Sequence, residues 1–476
     1  MSTPMLLARR GAVGGGRSWP RVAMAALLAT SAFAAGVVLA AVGAATGPGV
    51  MLMVPVVATA VLVGFRYRAL APCLLLIAMP AGLQPIAGGV EVSQAVAALV
   101  VGLIVLGGLA ARRAALRWSP PLAWAAAMLA IAALGTARAP NLGAAIRQDL
   151  DLVLGLLLVC SVLAACRSIT DVRRIVAVAV GVGALVCAIS LRSVSGLQAI
   201  NGAQVVNNRL QGTFTEPNQF GSFSAVVLML SFGLALAART RGRRVAAGAA
   251  GLAALLALGL ALSRGAWIGS ALALALLCAL LPSARRGLVA AGVLLLLGGA
   301  LLGAFRPDSP EVQIVKERVA TFSNPTDNPY DDRPSIWREG RRQVLDSPWI
   351  GQGPGQFPTV SDRAASAAQR VQAQHAHDVL LTVAAELGLP AAVLLIGFTL
   401  SILAALRRTM TRLTDVRDRA LVAGVGAALS IIVGQGLVDF ELRNSVIFLL
   451  LAVLLGCLLA ADRISAGAVA SDDRAR

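Results

Sequence analysis

Residues 245–281 read VAAGAAGLAALLALGLALSRGAWIGSALALALLCALL. Two apolar runs, 245–262 and 266–281, flank a single charged residue, Arg264. A bilayer core is crossed by about 20 residues of helix, so this stretch is too long for one span. It is expected to form two membrane spans joined by a tight hairpin with Arg264 at its tip. Similar apolar runs occur along the whole chain, at 22–42, 50–64, 69–86, 92–110, 120–135, 150–166, 172–192, 217–237, 287–305, 378–406, 420–438 and 445–461.

Composition agrees with that reading. Of 476 residues, 58% are hydrophobic and 13% charged. Soluble domains are about 25% charged, so a soluble enzyme, a disordered chain and a fibrous protein are all excluded. The fold class is expected to be all-α: a polytopic helical membrane protein of about 12–14 transmembrane helices with one large extracytoplasmic loop. The first run, from Val22, is read as an uncleaved first helix behind Arg9, Arg10, Arg17 and Arg21.

Charge orients the spans. There are 41 basic residues against 23 acidic ones, for a net charge of +18, and only Lys316 is a lysine. Nucleic-acid binding would need the basic residues clustered on a soluble surface. Here they lie in short loops between apolar runs, as membrane orientation demands. With the N-terminus in the cytoplasm, the inner segments hold 26 basic residues and the outer ones 15, nine of these in the polar stretch 306–376. Long translocated loops obey the positive-inside rule weakly. Both termini are therefore expected in the cytoplasm, with 306–376 outside. Three regions follow: an N-terminal transmembrane bundle (1–305), an extracytoplasmic loop with short helices (306–376), and C-terminal helices with a cytoplasmic tail (377–476). In the loop, RPSIWREGRRQVLDSP (333–348) has Pro334 suited to a first helical turn and Pro348 as a stop, and PWIGQGPGQF (348–357) reads as a glycine-rich turn. The six cysteines form no CxxC pair and are read as small buried hydrophobes.

This topology collects unusual polar residues on the outer side: Arg147, the segment 207–221, Arg264, Arg333, Arg338 and His377. Arg264 is either an interfacial arginine with its head in water or an anion ligand, since a guanidinium grips two phosphate oxygens at once. Arg209 precedes a helix start in which Thr215 and Asn218 are candidate caps and Pro217 suits the first turn. That segment is either a well-made helix start or an anion site. Glu216 is a counter-charge or an acid/base. His375 and His377 are the only histidines. HxH lacks a third ligand at a recognisable spacing, so no metal is expected. His375 should face away from His377 on a helix and be dispensable. No Walker A loop, GxSxG elbow or HExxH motif occurs, so energy must come from an activated substrate.

Four segments in order carry a resemblance: RLQGTFTEPNQFGSF (209–223), LSRGAWIG (262–269), DDRPSIWREGRRQVLDSPWIGQGPGQF (331–357) and HAHDVLLTVAAELGLP (375–390). Together they resemble the O-antigen ligase and O-antigen polymerase superfamily of bacterial membrane glycosyltransferases. The resemblance implies a GT-C-like enzyme that moves a glycan from an undecaprenyl-diphosphate-linked donor to an acceptor hydroxyl on a glycan, lipid or protein at the outer face. No cofactor, metal or nucleotide is implied, and the bilayer is the remaining partner. By the same resemblance His377 is the catalytic base, and Arg209, Arg264 and Arg333 bind the diphosphate. Glu216, Asn218, Arg338 and Asp378 complete the candidate substrate-binding set. Asp378 stands where the family usually has Asn or Ser, and could orient the imidazole. The alternative is a polytopic transporter or exporter of a polysaccharide or lipid, which would place charges along a mid-membrane path. A membrane scaffold would leave the arginines and histidine unexplained.

Overall fold

The computed structural model describes residues 68–87, 90–110, 119–192, 204–206, 209–290, 333–362 and 375–475, together with 292 and 316. The expected spans 22–42 and 50–64, and most of 287–305, lie outside the described residues.

The described chain is a bundle of helices: α1 (Ala71–Ala78), α2 (Val92–Ala110), α3 (Pro120–Thr136), α4 (Leu142–Ala165), α5 (Ile169–Leu191), α6 (Pro217–Ala237), α7 (Arg241–Ala261) and α8 (Arg264–Leu280). After the loop come α9 (Arg333–Asp346), α10 (Phe357–Asp362), α11 (Val379–Leu387), α12 (Leu389–Arg412), α13 (Val416–Gln435) and α14 (Ser445–Ala475). The strands form two short antiparallel hairpins, β1 (Pro85–Ala87) with β2 (Val90–Glu91) and β3 (Gln204–Val206) with β4 (Arg209–Gly212). Among the described residues six helices are long and apolar enough to cross a membrane: α4, α5, α6, α7, α12 and the Ser445–Ala468 part of α14. Ala71–Ala81, Val92–Leu106, α3 and α8 are shorter apolar helices.

Three features are shaped differently from their reading. The expected span 69–86 holds only the short α1, 3-10 turns at 68–70 and 79–81, and the start of β1. The stretch 378–406 is broken: α11 ends at Leu387, Gly388 has φ +87°, and α12 starts at Leu389 with Pro390 in its first turn. A Cβ on Gly388 would lie 2.6 Å from the Trp349 carbonyl carbon, so the backbone of the glycine-rich loop presses on this break. The hairpin at 262–265 is shorter than expected. Only Leu262 (φ 50°) and Ser263 separate α7 from α8, and Arg264 is the first residue of α8. The Ser263 side chain caps that helix by accepting the Ala266 N–H at 3.3 Å.

The most buried of the six spans are α14 (83%) and α6 (78%), whereas α12 at 28% lies on the rim. Helix α6 packs on α5, α7, α8 and α13. Its approach to α13 is backbone on backbone: a Cβ on Gly233 would sit 2.7 Å from the Cα of Gly424. In lipid, helices associate through such close van der Waals contact, because there is no hydrophobic drive between them. These contacts bring the start of α6, the start of α8 and the end of α13 to one end of the bundle. A Cβ on Gly221 would be 2.9 Å from Ser263 Cβ, and one on Gly265 would be 2.9 Å from Val438 Cγ2. Helix α11 joins them, since the Val379 N–H donates to the Gly436 carbonyl at 2.7 Å.

Candidate functional site

At this end the turn between α13 and α14, Gly436–Asn444, carries a run of buried polar residues: Asp439, Glu441 and Asn444. Asp439 is 3% exposed and organises the site. Its Oδ1 lies 2.8 Å from Nδ1 of His377 and accepts the Phe440 N–H at 2.9 Å. Its Oδ2 accepts from Asn218 Nδ2 at 2.7 Å and stands 3.8 Å from a nitrogen of Arg333. Arg209 lies behind Asn218, donating to the Asn218 Oδ1 at 2.5 Å and to the carbonyl of Ala261 at 3.1 Å. Arginine only donates, so this contact fixes which way the Asn218 amide faces.

These contacts set the charge state of the site. Burial raises the Asp439 pKa, but the hydrogen bond to His377, the charges of the two histidines and Arg333 outweigh it and hold the carboxyl down at about 2. Glu441, two residues on, goes the other way. Burial and the nearby Asp439 and Glu216 carboxylates push its pKa well above the usual range, against a hydrogen bond from Gln435 Nε2 at 2.8 Å. Ser222 donates to the same Gln435 at 2.6 Å, tying α6 to α13 beneath the site. Because the ionised carboxylate only accepts, the His377 Nδ1 must carry the hydrogen. Nε2 is left as the nitrogen able to take a proton.

The candidate residues from the sequence fall as follows. His377, Arg209, Asn218 and Arg333 meet around Asp439. Arg264 opens α8, beside the Gly265 contact to Val438. Glu216 is exposed as the N-cap residue of α6 and makes no side-chain cap bond. Crowding by its surroundings and the Asp439 charge raise its pKa, while His377, Arg209 and Arg333 oppose the rise. Arg338 is exposed on α9, and Arg147 is exposed on α4.

Three local expectations differ from the structure. Asn218 is not a helix cap but the bridge from Arg209 to Asp439. Thr215 bonds the Gln219 side chain at 2.8 Å. The carboxylate of Asp378 accepts the Leu381 N–H at 2.7 Å and caps α11, so the carboxylate bonded to the imidazole is Asp439. Glu386, within the apolar run 378–406, is buried at the end of α11. It accepts from the backbone N–H groups of Gly355 (3.0 Å) and Phe357 (3.2 Å) and pairs with Arg443 at 2.9 Å. It thereby binds the glycine-rich loop to the turn that carries Asp439.

His375, His377 and Asp439 each offer one ligand atom within 4.8 Å of the others, and are the only such trio among the described residues. They are already engaged with one another, through the His377–Asp439 contact and a 3.2 Å bond from the His377 N–H to His375 Nδ1. The adjoining guanidinium of Arg333 also disfavours a further cation.

The bundle with this histidine and its buried carboxylate is that of a polytopic α-helical membrane protein carrying a polar site at one end. Residues 248–396 match the family model described as O-antigen ligase, in accord with the resemblance carried by the motifs. The match supports an O-antigen ligase/polymerase-type role in polysaccharide assembly. It contains Arg264, Arg333, Arg338, His377 and Asp378, while Arg209, Glu216, Asn218 and Asp439 lie outside it. No curated protein matches the chain.

Proposed function

We propose that the protein is a glycosyltransferase that moves a glycan from an undecaprenyl-diphosphate-linked donor to an acceptor hydroxyl, as a polymerase or a ligase. The observation that carries this reading is the 2.8 Å contact between His377 and the buried Asp439, with Arg209 and Arg333 held around it. Nε2 of His377 takes the proton of the acceptor hydroxyl as its oxygen attacks the anomeric carbon of the donor. The bond from that carbon to the diphosphate oxygen breaks, and the diphosphate leaves with the electron pair. Arg209, Arg264 and Arg333 stabilise the charge gathering on the leaving group, which fixed donors do best where water is scarce. Asp439 is the positioning residue: it holds the tautomer that leaves Nε2 basic and stabilises the imidazolium formed during transfer. No step calls for a metal or a nucleotide. The Arg264 end of the bundle faces the outside of the inner membrane and the arginine-rich end faces the cytoplasm, in keeping with the positive-inside rule.

The test is transfer from purified lipid-linked donor by the full-length protein in lipid nanodiscs. His377→Ala is expected to lose about 10²–10⁴-fold in turnover, the usual contribution of a general base, while still binding donor. Arg264→Lys keeps the charge but loses the two-pronged fork, and is expected to weaken transfer severely at normal abundance. Near-normal turnover by His377→Ala would remove it from the mechanism and leave Glu216 as the next base to examine.

A further inference from the structure

Among the described residues only Leu262 and His377 have positive φ without being glycine, and His377 sits at 50°. The left-handed conformation is unfavourable for an L-residue, so something must hold it. The backbone N–H of His377 donates to Nδ1 of His375 at 3.2 Å, closing a ring from side chain to the N–H two residues on. Asparagine and aspartate make the same closure in Asx turns. The His375 ring is 8% exposed. It lies edge-on to the His377 ring, with centroids 4.4 Å apart, and edge-on to Phe440 at 5.4 Å. Phe440 follows Asp439 and donates its own N–H to the Asp439 carboxylate. One buried ring therefore touches the backbone that aims the histidine and the residue that anchors its carboxylate.

We infer that His375 is a positioning residue that sets the His377–Asp439 geometry, through its Nδ1 on the His377 backbone and its ring against Phe440. The inference rests on the reading of His377 as the base. Residues 375–378 are not helical, so the two histidines are not turned away from each other as a helix would require. Burial, aided by the charges of His377 and Arg443 and opposed by Asp439, pushes the His375 pKa down to about 3. Nδ1 thus keeps the lone pair that the His377 N–H needs.

The experiment compares His375→Phe, His375→Asn and His377→Ala in nanodiscs at matched protein level. The donor is lipid-diphosphate-linked glycan extracted from a host strain lacking the gene. Phenylalanine keeps the ring and removes the acceptor, whereas asparagine keeps an acceptor for the N–H two residues on. His375→Phe is expected to lower kcat about tenfold to hundredfold, the scale of a misplaced catalytic group, with donor KM changed less than about twofold. His375→Asn is expected to recover most of that loss. Wild-type kcat in His375→Phe, or His375→Asn as impaired as His375→Phe, overturns the inference while an inactive His377→Ala keeps the mechanism standing. Full activity in His377→Ala would instead fail the mechanism itself. If His375→Phe does not accumulate, the kcat of His375→Asn decides: near wild type supports the acceptor role, and a loss above tenfold removes it.

Discussion

The two ends of the bundle use the same residue types in opposite ways. At one end Arg173 pairs with Asp418 at 2.5 Å, and Asp462 receives Arg408 and Arg412 at 3.1 and 3.0 Å. These side chains are all partly open to solvent, and such pairs contribute about 0–1 kcal/mol each. Asp171 forms a capping box with Ser168 at the start of α5. At the other end the carboxylates of Asp439, Glu441 and Glu386 are nearly sealed from solvent. Burying a charge is costly unless it is paired and fully hydrogen-bonded. Asp439 meets that condition with His377, Asn218 and the Phe440 N–H, and Glu386 with Arg443 and two backbone N–H groups. Many wet charges on one side suit an orientation signal, whereas a few dry, over-determined charges on the other suit chemistry.

The sharpest break of this comparison is orientation, where the expected effect is all or nothing. Single cysteines replace Leu345 and Thr411, both exposed and at opposite ends, in a chain stripped of its six native cysteines. An impermeant thiol reagent should label the Leu345→Cys protein in cells with a permeabilised outer membrane and an intact inner one, and the Thr411→Cys protein only after lysis. Reversed labelling would put the buried carboxylates on the cytoplasmic side.

The next contrast sets one carboxylate from each end against the other. Asp439→Asn would keep its amide oxygen towards Asn218 Nδ2, because Arg209 holds the Asn218 orientation, and so would turn its N–H groups towards His377 Nδ1, which must then accept. It is expected to lower kcat by about hundredfold or more, on the scale of a general base left in the wrong tautomer. Asp462→Asn should leave kcat per folded molecule within about threefold, since only partly exposed pairs are weakened. Equal losses in the two variants would erase the distinction drawn here.

Much of the fold was legible in the sequence, because apolar run length is the dominant signal in a membrane chain. The bounds 217–237 are those of α6. The breaks were less legible: nothing in the hydropathy of 378–406 marks Gly388, whose conformation answers to the backbone of Trp349. In the site, Arg209, Asn218, Arg333 and His377 were all singled out and all meet. Asp439 was not, since it lies 62 residues beyond His377, past the last motif and outside the family match. One signal for it was present: VDFELRN (438–444) is a charged turn between two apolar runs, on the same side as Arg264. Asp378 drew attention by sequence adjacency, but a residue that opens a helix spends its carboxylate on that helix's own N–H groups.

The smallest expected effect concerns stability against pH. His375 is neutral in the fold down to about pH 3, whereas an unfolded histidine binds a proton near 6.5. Between those values the unfolded chain holds more protons, so this residue's contribution to stability falls as pH drops from 6.5 towards 3. Asp439 acts in a lower window: its depressed pKa gives stability that is present above the ordinary carboxylate range and lost as pH falls towards 2. The raised pKa values of Glu216 and Glu441 act in the opposite sense in both proteins. From pH 6.5 to 4.5 the wild-type midpoint of thermal unfolding in nanodiscs should therefore lose ground relative to that of His375→Asn. Identical slopes would show that the ring is not kept neutral by the fold.

Asp439 bonds His377 across 62 residues and Asn218 across 221. This long reach bears on biogenesis. A nascent chain inserted as far as α12 already carries both histidines and the arginines, yet lacks the carboxylate that joins them. Only when α13 and α14 have entered the bilayer does the turn between them close over α6 and α11. The assembly line that builds the protein thus delivers its most consequential acid late, and the polar cluster around it stays incomplete until the last two helices are in place.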